Sequence, residues 1–279
     1  MTARLPFDLD RIESQLGLWC ETVGSVFREW RAQDSGCVAL GVRIDGGDWF
    51  FKFAETAGCA AGLRSAVRFH AAVSHRAIVP LAGSRELATG PVLVYPWIEG
   101  EVLYDPAVAP GEASRNAPEA PHRRFRSLPT HRIIAALDAI LDAHIAALAR
   151  GFVAVDLYDG SVMYDFARGE VHLCDFDGYR PGPFRLSEDR LPGSTRFMAP
   201  EESRRGALIG EWTTVYNLGR MIEQLGGSAL TPEVGAVAAR ATSEEPAGRY
   251  QTVAHLVGDW QAATGGRPTR ASGIGRDLG

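Results

Sequence analysis

Apolar positions recur at helical spacing over residues 8–30, at Leu9, Ile12, Leu16, Trp19, Val23, Val26, Phe27 and Trp30, which predicts an N-terminal helix. From Gly36 to Phe53 the period changes to two. Val38, Leu40, Val42 and Ile44 alternate, and Trp49-Phe50-Phe51-Lys52-Phe53-Ala54 reads as a second strand. Between them Asp45-Gly46-Gly47-Asp48 is a hairpin signal. An Ala-rich helix is expected over 60–73, then strands at 78–81 and 92–95. Residues 105–128 are rich in Pro, Ala, Arg and Glu without periodicity, which predicts a mobile surface insertion. The strongest helical pattern runs from 130 to 150, through Ile133, Ile134, Leu137, Ile140, Leu141, Ile145 and Leu148. Short strands at 161–164 and 171–174 flank a turn at Ala167-Arg168-Gly169, and helices resume near Glu211 and run to about Ala262. The Gly- and Arg-rich stretch 264–279 reads as a disordered tail. The expected class is α+β: a helical extension (1–33), a strand-rich unit (34–98), a larger helical unit (99–262) and a tail (263–279), with 97–100 as the connector.

At 279 residues the chain can bury a substantial core, and its 46% hydrophobic and 23% charged content is that of a globular protein. A net charge of −5 argues against nucleic acid as a partner. No apolar run approaches the ~20 residues needed to span a bilayer, and the N-terminus lacks the apolar stretch of a signal peptide. Cys20, Cys37, Cys59 and Cys174 are scattered without metal-ligand spacing, so they read as reduced thiols of a cytoplasmic protein. Arginine is the default cation, with 28 copies against the single lysine, Lys52. Heavy Ala, Gly and Arg usage points to a GC-rich coding sequence, which by itself makes lysine scarce. The one lysine ends an aromatic strand, however, and its compact ammonium is not interchangeable with a planar guanidinium at a tight site.

Two aspartates 19 positions apart, Asp156 and Asp175, each follow apolar residues and enclose a hairpin. Strand ends of this kind can present both carboxylates to one cleft. Phosphoryl transfer needs one carboxylate to orient an attacking hydroxyl and another to hold magnesium on the phosphates. As isolated residues, either would equally serve as a turn-forming strand cap.

Downstream, Gly193-Ser194-Thr195-Arg196-Phe197-Met198-Ala199-Pro200-Glu201 resembles the end of the activation segment of the eukaryotic-like protein kinase family in its bacterial form. Glu244-Glu245-Pro246-Ala247-Gly248-Arg249-Tyr250 is similar to the late motif whose arginine pairs with that glutamate. Val215-Tyr216-Asn217-Leu218-Gly219 resembles the long central helix of that family, and Ser74 to Leu81 resembles the approach to its fourth strand. In order and spacing the resemblance spans roughly residues 34–260.

The resemblance implies a two-lobed protein kinase-like fold, small and β-rich first, larger and helical second. It implies ATP and magnesium as cofactors and a hydroxyl as acceptor, on a protein or a small molecule. Lys52 would grip the α- and β-phosphates, Asp156 would be the catalytic aspartate and Asp175 the metal-binding one. Ser35, Gly36 and Cys37 stand where the glycine-rich loop should be, Tyr95 falls at the gatekeeper position, and Pro96-Trp97-Ile98 forms the hinge. There Pro96 would offer its carbonyl and Ile98 its N–H to adenine. Ser161 occupies the place of the metal-binding asparagine, with Asp177 or Asp159 as alternative second contacts, and Glu201 and Arg249 would form a structural ion pair.

The chain also departs from the family. The glycine loop is reduced, Ala154-Val155 stands in place of His-Arg before Asp156, Tyr158 replaces a lysine, and Asp177 replaces the last glycine of Asp-Phe-Gly. The helix over 60–73 has no glutamate for Lys52, with Ala66 and Val67 at the expected place. Of these, the glycine loop and Asp177 also suit an aminoglycoside-type small-molecule kinase. The lost His-Arg, the absent helix glutamate and Ser161 suit a pseudokinase acting as a binding module.

Overall fold

The computed structural model describes residues 5–12, 16–31, 36–106 and 110–266. The chain is α+β. Its N-terminal part is an antiparallel sheet in the order β1 (Ser25–Trp30), β2 (Cys37–Ile44), β3 (Gly47–Ala54), β5 (Gly90–Pro96) and β4 (Gly83–Leu87). The β2–β3 turn is two residues, Asp45 and Gly46, both at positive φ (49° and 79°). That is the geometry whose twist matches the flanking strands, and it fixes the register that sets Ala39 opposite Lys52. Val38, Leu40, Val42, Trp49 and Phe51 pack on one face, under Ile12 and under Leu16, Trp19 and Cys20 of α1 (Leu16–Val23). The opposite face carries Ala39, Gly41, Phe50 and Lys52.

The helix expected over 8–30 ends at Val23, and 25–30 is a strand. Gly24 lies against β2, where a Cβ would come 2.2 Å from the Arg43 carbonyl oxygen. Val26 and Trp30 pair with Val42 and Ala39 around a bulge. The spacing of Val23, Val26, Phe27 and Trp30 is helical, and pairing with β2 across a bulge overrides it. The strand expected at 78–81 reduces to a single parallel bridge from Ile78 to Leu173, and the edge strand lies at 83–87.

Helix α2 (Ala57–Ala72), capped by the Thr56 hydroxyl on the Cys59 N–H, packs on β3 and β5. After β6 (Glu101–Val102) come α3 (Gly111–Arg115) and α4 (Pro121–Arg126). The expectation of a mobile surface insertion over 105–128 is corrected for the described part: Arg115, His122 and Phe125 are buried, and Phe125 joins the main core. Residues 107–109 lie outside the described set.

The core of the second part is built by α5 (Thr130–Leu148), then by α6 (Glu211–Leu225), α7 (Pro232–Ala241) and α8 (Val253–Thr264). Strand β7 (Phe152–Val153) follows α5, and β8 (Val162–Asp165) and β9 (Glu170–Leu173) form the expected hairpin. Glu201 and Arg249 meet in a bidentate pair at 2.7 and 3.0 Å, both buried. Arg249 also donates to the carbonyls of Ser243, Glu244 and Trp212. The tail expected from 264 onward lies outside the described residues from 267. Among the described residues no helix is long and apolar enough to cross a membrane.

Candidate functional site

The β8–β9 hairpin brings residues 156–161 and 174–177 together at one end. The Cys174 N–H donates to the Ser161 carbonyl at 3.0 Å, and the Ser161 hydroxyl to the Asp156 carbonyl at 3.2 Å. Asp156 and Asp175 both adopt left-handed backbone conformations, φ 63° and 64°. Aspartate reaches this region at a cost, and such strain concentrates at functional positions.

Opposite them, β3 delivers Lys52. Its ammonium donates to Asp175 Oδ1 at 2.8 Å and to Asp177 Oδ2 at 2.7 Å. Burial would pull the lysine down, but the two carboxylates overcome it and hold Lys52 protonated, well above its ordinary value. Burial is also the largest influence on Asp156. Reinforced by the charge of Asp175 and opposed by Lys52, it pushes the carboxyl up to about 7. A carboxylate so placed can exchange a proton near neutral pH. Gly193 lies over it, where a Cβ would be 3.6 Å from Asp156 Oδ1. Lys52, Asp156, Asp175 and Asp177, chosen from sequence, thus share one charged neighbourhood, with Ser161 buried beneath Asp156.

Cys37 is buried in a disulfide with Cys59, so the expectation of four reduced thiols is corrected and no Cys37 thiol is offered to a ligand. The β2–β3 register sets Cys37 opposite Ala54, and the first turn of α2 returns Cys59 over it, with Cα atoms 5.5 Å apart. Gly36, at φ 67°, presses on Thr56, and its carbonyl accepts from the Glu55 N–H. Ser35 lies outside the described residues. Tyr95 is on the Lys52 face of the sheet, its hydroxyl 3.4 Å from His70 Nε2, and Pro96 and Ile98 are half-buried beyond it.

The remaining alternative metal contact, Asp159, is committed elsewhere. It is fully buried and accepts from Arg196 at 2.9 and 3.2 Å, with Arg115 Nε at 3.1 Å and His122 Nε2 at 3.8 Å. Burial outweighs Arg115 and pushes its carboxyl up to about 6. This cluster ties α3, α4 and the 193–201 stretch to the loop that carries Asp156. Sequence reasoning missed Arg115, because 105–128 has no periodicity to place it, and it quoted Arg196 within the 193–201 motif without the link to Asp159.

It also missed an aromatic shelf on the Lys52 face. Trp30 contacts Phe50 at 5.6 Å and stacks on Trp97 at 6.3 Å, Phe27 meets Trp97 edge-on at 4.9 Å, and Phe50 lies 6.2 Å from Tyr95. Gly41 makes the room, since a Cβ there would fall 2.8 Å from Phe27 and 3.0 Å from Trp97. Strand alternation from Lys52 could have found Phe50. Phe27 and Trp30 were hidden by the helical reading.

A magnesium ion fits this donor set in a limited way. Among the described residues no group of three or more His, Cys, Asp or Glu side chains is arranged around one metal position. The Asp175 side chain is 40% exposed and open to a ligand. Magnesium commonly takes one or two carboxylates and completes its shell with water and phosphate oxygens, which is what Asp175 can support.

No protein-family model matches the chain, and no curated protein matches it.

Proposed function

We propose that the protein is an ATP- and magnesium-dependent phosphotransferase with a two-lobed, protein kinase-like fold, acting on a hydroxyl acceptor. The observation that carries this reading is the meeting of Lys52 with Asp175 and Asp177 across the cleft, beside an Asp156 poised near neutrality. Phosphates would lie at the Lys52 ammonium, with Asp175 turned to a magnesium ion that neutralises their charge. Asp156 would orient the acceptor hydroxyl and take its proton. The shelf of Trp30, Phe50 and Trp97 offers flat apolar surface to a base. The favoured acceptor is a protein Ser or Thr, because the Ala199-Pro200-Glu201 stretch is joined to Arg249 as in the resembled family.

A second reading, a nucleotide-binding module without turnover, is favoured by one feature. Helix α2 offers Lys52 no acid, and the ammonium is instead tied to both Asp175 and Asp177, the carboxylates that a metal would need. Radiolabelled ATP with magnesium and a generic protein acceptor, run beside Asp156→Asn, tests both. Label on protein that Asp156→Asn abolishes supports the proposal. Label only on metabolites or antibiotics moves the acceptor to a small molecule. Nucleotide binding without any transfer favours the module, and absence of both refutes the proposal.

A further inference from the structure

Lys52 touches two carboxylates that differ in their surroundings. Asp175 has a side chain 40% exposed, whereas that of Asp177 is 18% exposed and enclosed between Lys52 and α2. The enclosure is built by Gly62: a methyl there would stand 3.3 Å from Asp177 Cβ and 3.7 Å from its carbonyl oxygen, so the helix backbone runs directly against this residue. Over its whole length, Ala57–Ala72, α2 carries no aspartate or glutamate, so it supplies no acid to the lysine.

We propose that Asp177 is the positioning residue for Lys52, holding the ammonium in the cleft from the segment after β9 and leaving Asp175 free for the metal. An ammonium has three N–H donors. With Asp177 keeping one and Asp175 surrendering its own to magnesium, two remain for phosphate oxygens. The lysine is then placed by the loop that also carries the metal carboxylate, which α2 backs through Gly62 without supplying an acid of its own. This rests on the phosphotransferase reading above, in which Lys52 serves the phosphates. It assigns Asp177 a role distinct from the metal contact expected from sequence.

Lys52 is the only lysine in the chain, so an amine-reactive ester labels it and the N-terminal amine alone, and peptide mass spectrometry separates the two. At fixed pH, Asp177→Asn should speed Lys52 labelling about tenfold or more, the loss expected when a charged hydrogen bond is removed. Asp175→Asn removes the more exposed of the two partners and should speed labelling less than Asp177→Asn does, whereas Asp177→Glu, which keeps a carboxylate at the site, should stay within about threefold of the parent. The second arm measures nucleotide affinity by tryptophan fluorescence, with magnesium or with a chelator. Asp177→Asn should weaken binding by the same factor in both, and Asp175→Asn only with magnesium. Circular dichroism checks folding, and Asp177→Ser replaces Asp177→Asn in both arms if the latter does not fold.

The proposal is overturned if Asp175→Asn releases the lysine and the Asp177 variants do not. It is also overturned if Asp177→Glu frees Lys52 as fully as Asp177→Asn, or if the Asp177 defect appears only with magnesium. A parent protein that binds no nucleotide would sink the phosphotransferase reading, while labelling would still decide what holds Lys52.

Discussion

Replacing Asp156 by asparagine should stabilise the protein while removing its proposed chemistry. The carboxyl titrates near 3.8 in an open chain and is pushed up to about 7 in the folded one, by burial and then by the charge of Asp175. Between those values the native state holds a proton that the unfolded state has released, so stability falls as pH rises through the window. The penalty is absent below about pH 4 and complete above about pH 7. A shift of about three units corresponds to about 4 kcal/mol, and because the side chain keeps partial contact with water, about 1–3 kcal/mol should be realised. Asparagine keeps the shape and cannot ionise. In urea denaturation, Asp156→Asn should therefore gain about 1–3 kcal/mol over the parent at pH 8 and almost nothing at pH 3.5. The same variant should bind nucleotide and transfer no phosphate, the trade between stability and activity seen at strained sites. An equal gain at both pH values would show that the carboxyl is not buried in charged form. A loss at pH 8 would show that Asp156 accepts stabilising contacts the geometry does not contain.

Three further outcomes can be measured. Lys52→Arg keeps the charge but widens the head group between Asp175 and Asp177, so nucleotide affinity should fall by tenfold or more with a stability change within about 1 kcal/mol; unchanged affinity would remove Lys52 from the phosphate site. Arg249→Ala strands the buried Glu201 carboxylate and should cost about 3–5 kcal/mol in urea denaturation; the paired Glu201→Leu and Arg249→Met change should recover most of it, and a single-variant loss under 1 kcal/mol would contradict the burial of the pair. Cys59→Ser opens the 22-residue loop closed by Cys37 and should lower stability by about 2–4 kcal/mol under non-reducing conditions; equal stability with and without reductant in the parent would mean that the two thiols are not joined.

Patterns in the sequence determined the elements whose cause is local. The Asp45-Gly46 turn forms because both positions need positive φ, and its two-residue length sets the register that turns Lys52 away from Phe51. Helix α5 follows from an unbroken run at 3.6-residue spacing, and the β8–β9 hairpin from two short strands about a glycine turn. The order of motifs from Lys52 to Arg249 named the four charged residues that share one neighbourhood, Lys52, Asp156, Asp175 and Asp177. Tertiary structure decided the rest, because each remaining outcome depends on partners far away in the chain. Residues 25–30 continue a helical spacing and become a strand only by pairing with β2 around a bulge. The 105–128 segment has no period of its own and is ordered where Arg115 and Arg196 converge on Asp159. Cys37 and Cys59 meet because the hairpin and α2 fold back on each other. Asp177 reaches Lys52 across 125 positions, a contact that no local spacing encodes and that exists only because the sheet and the segment after β9 pack against each other.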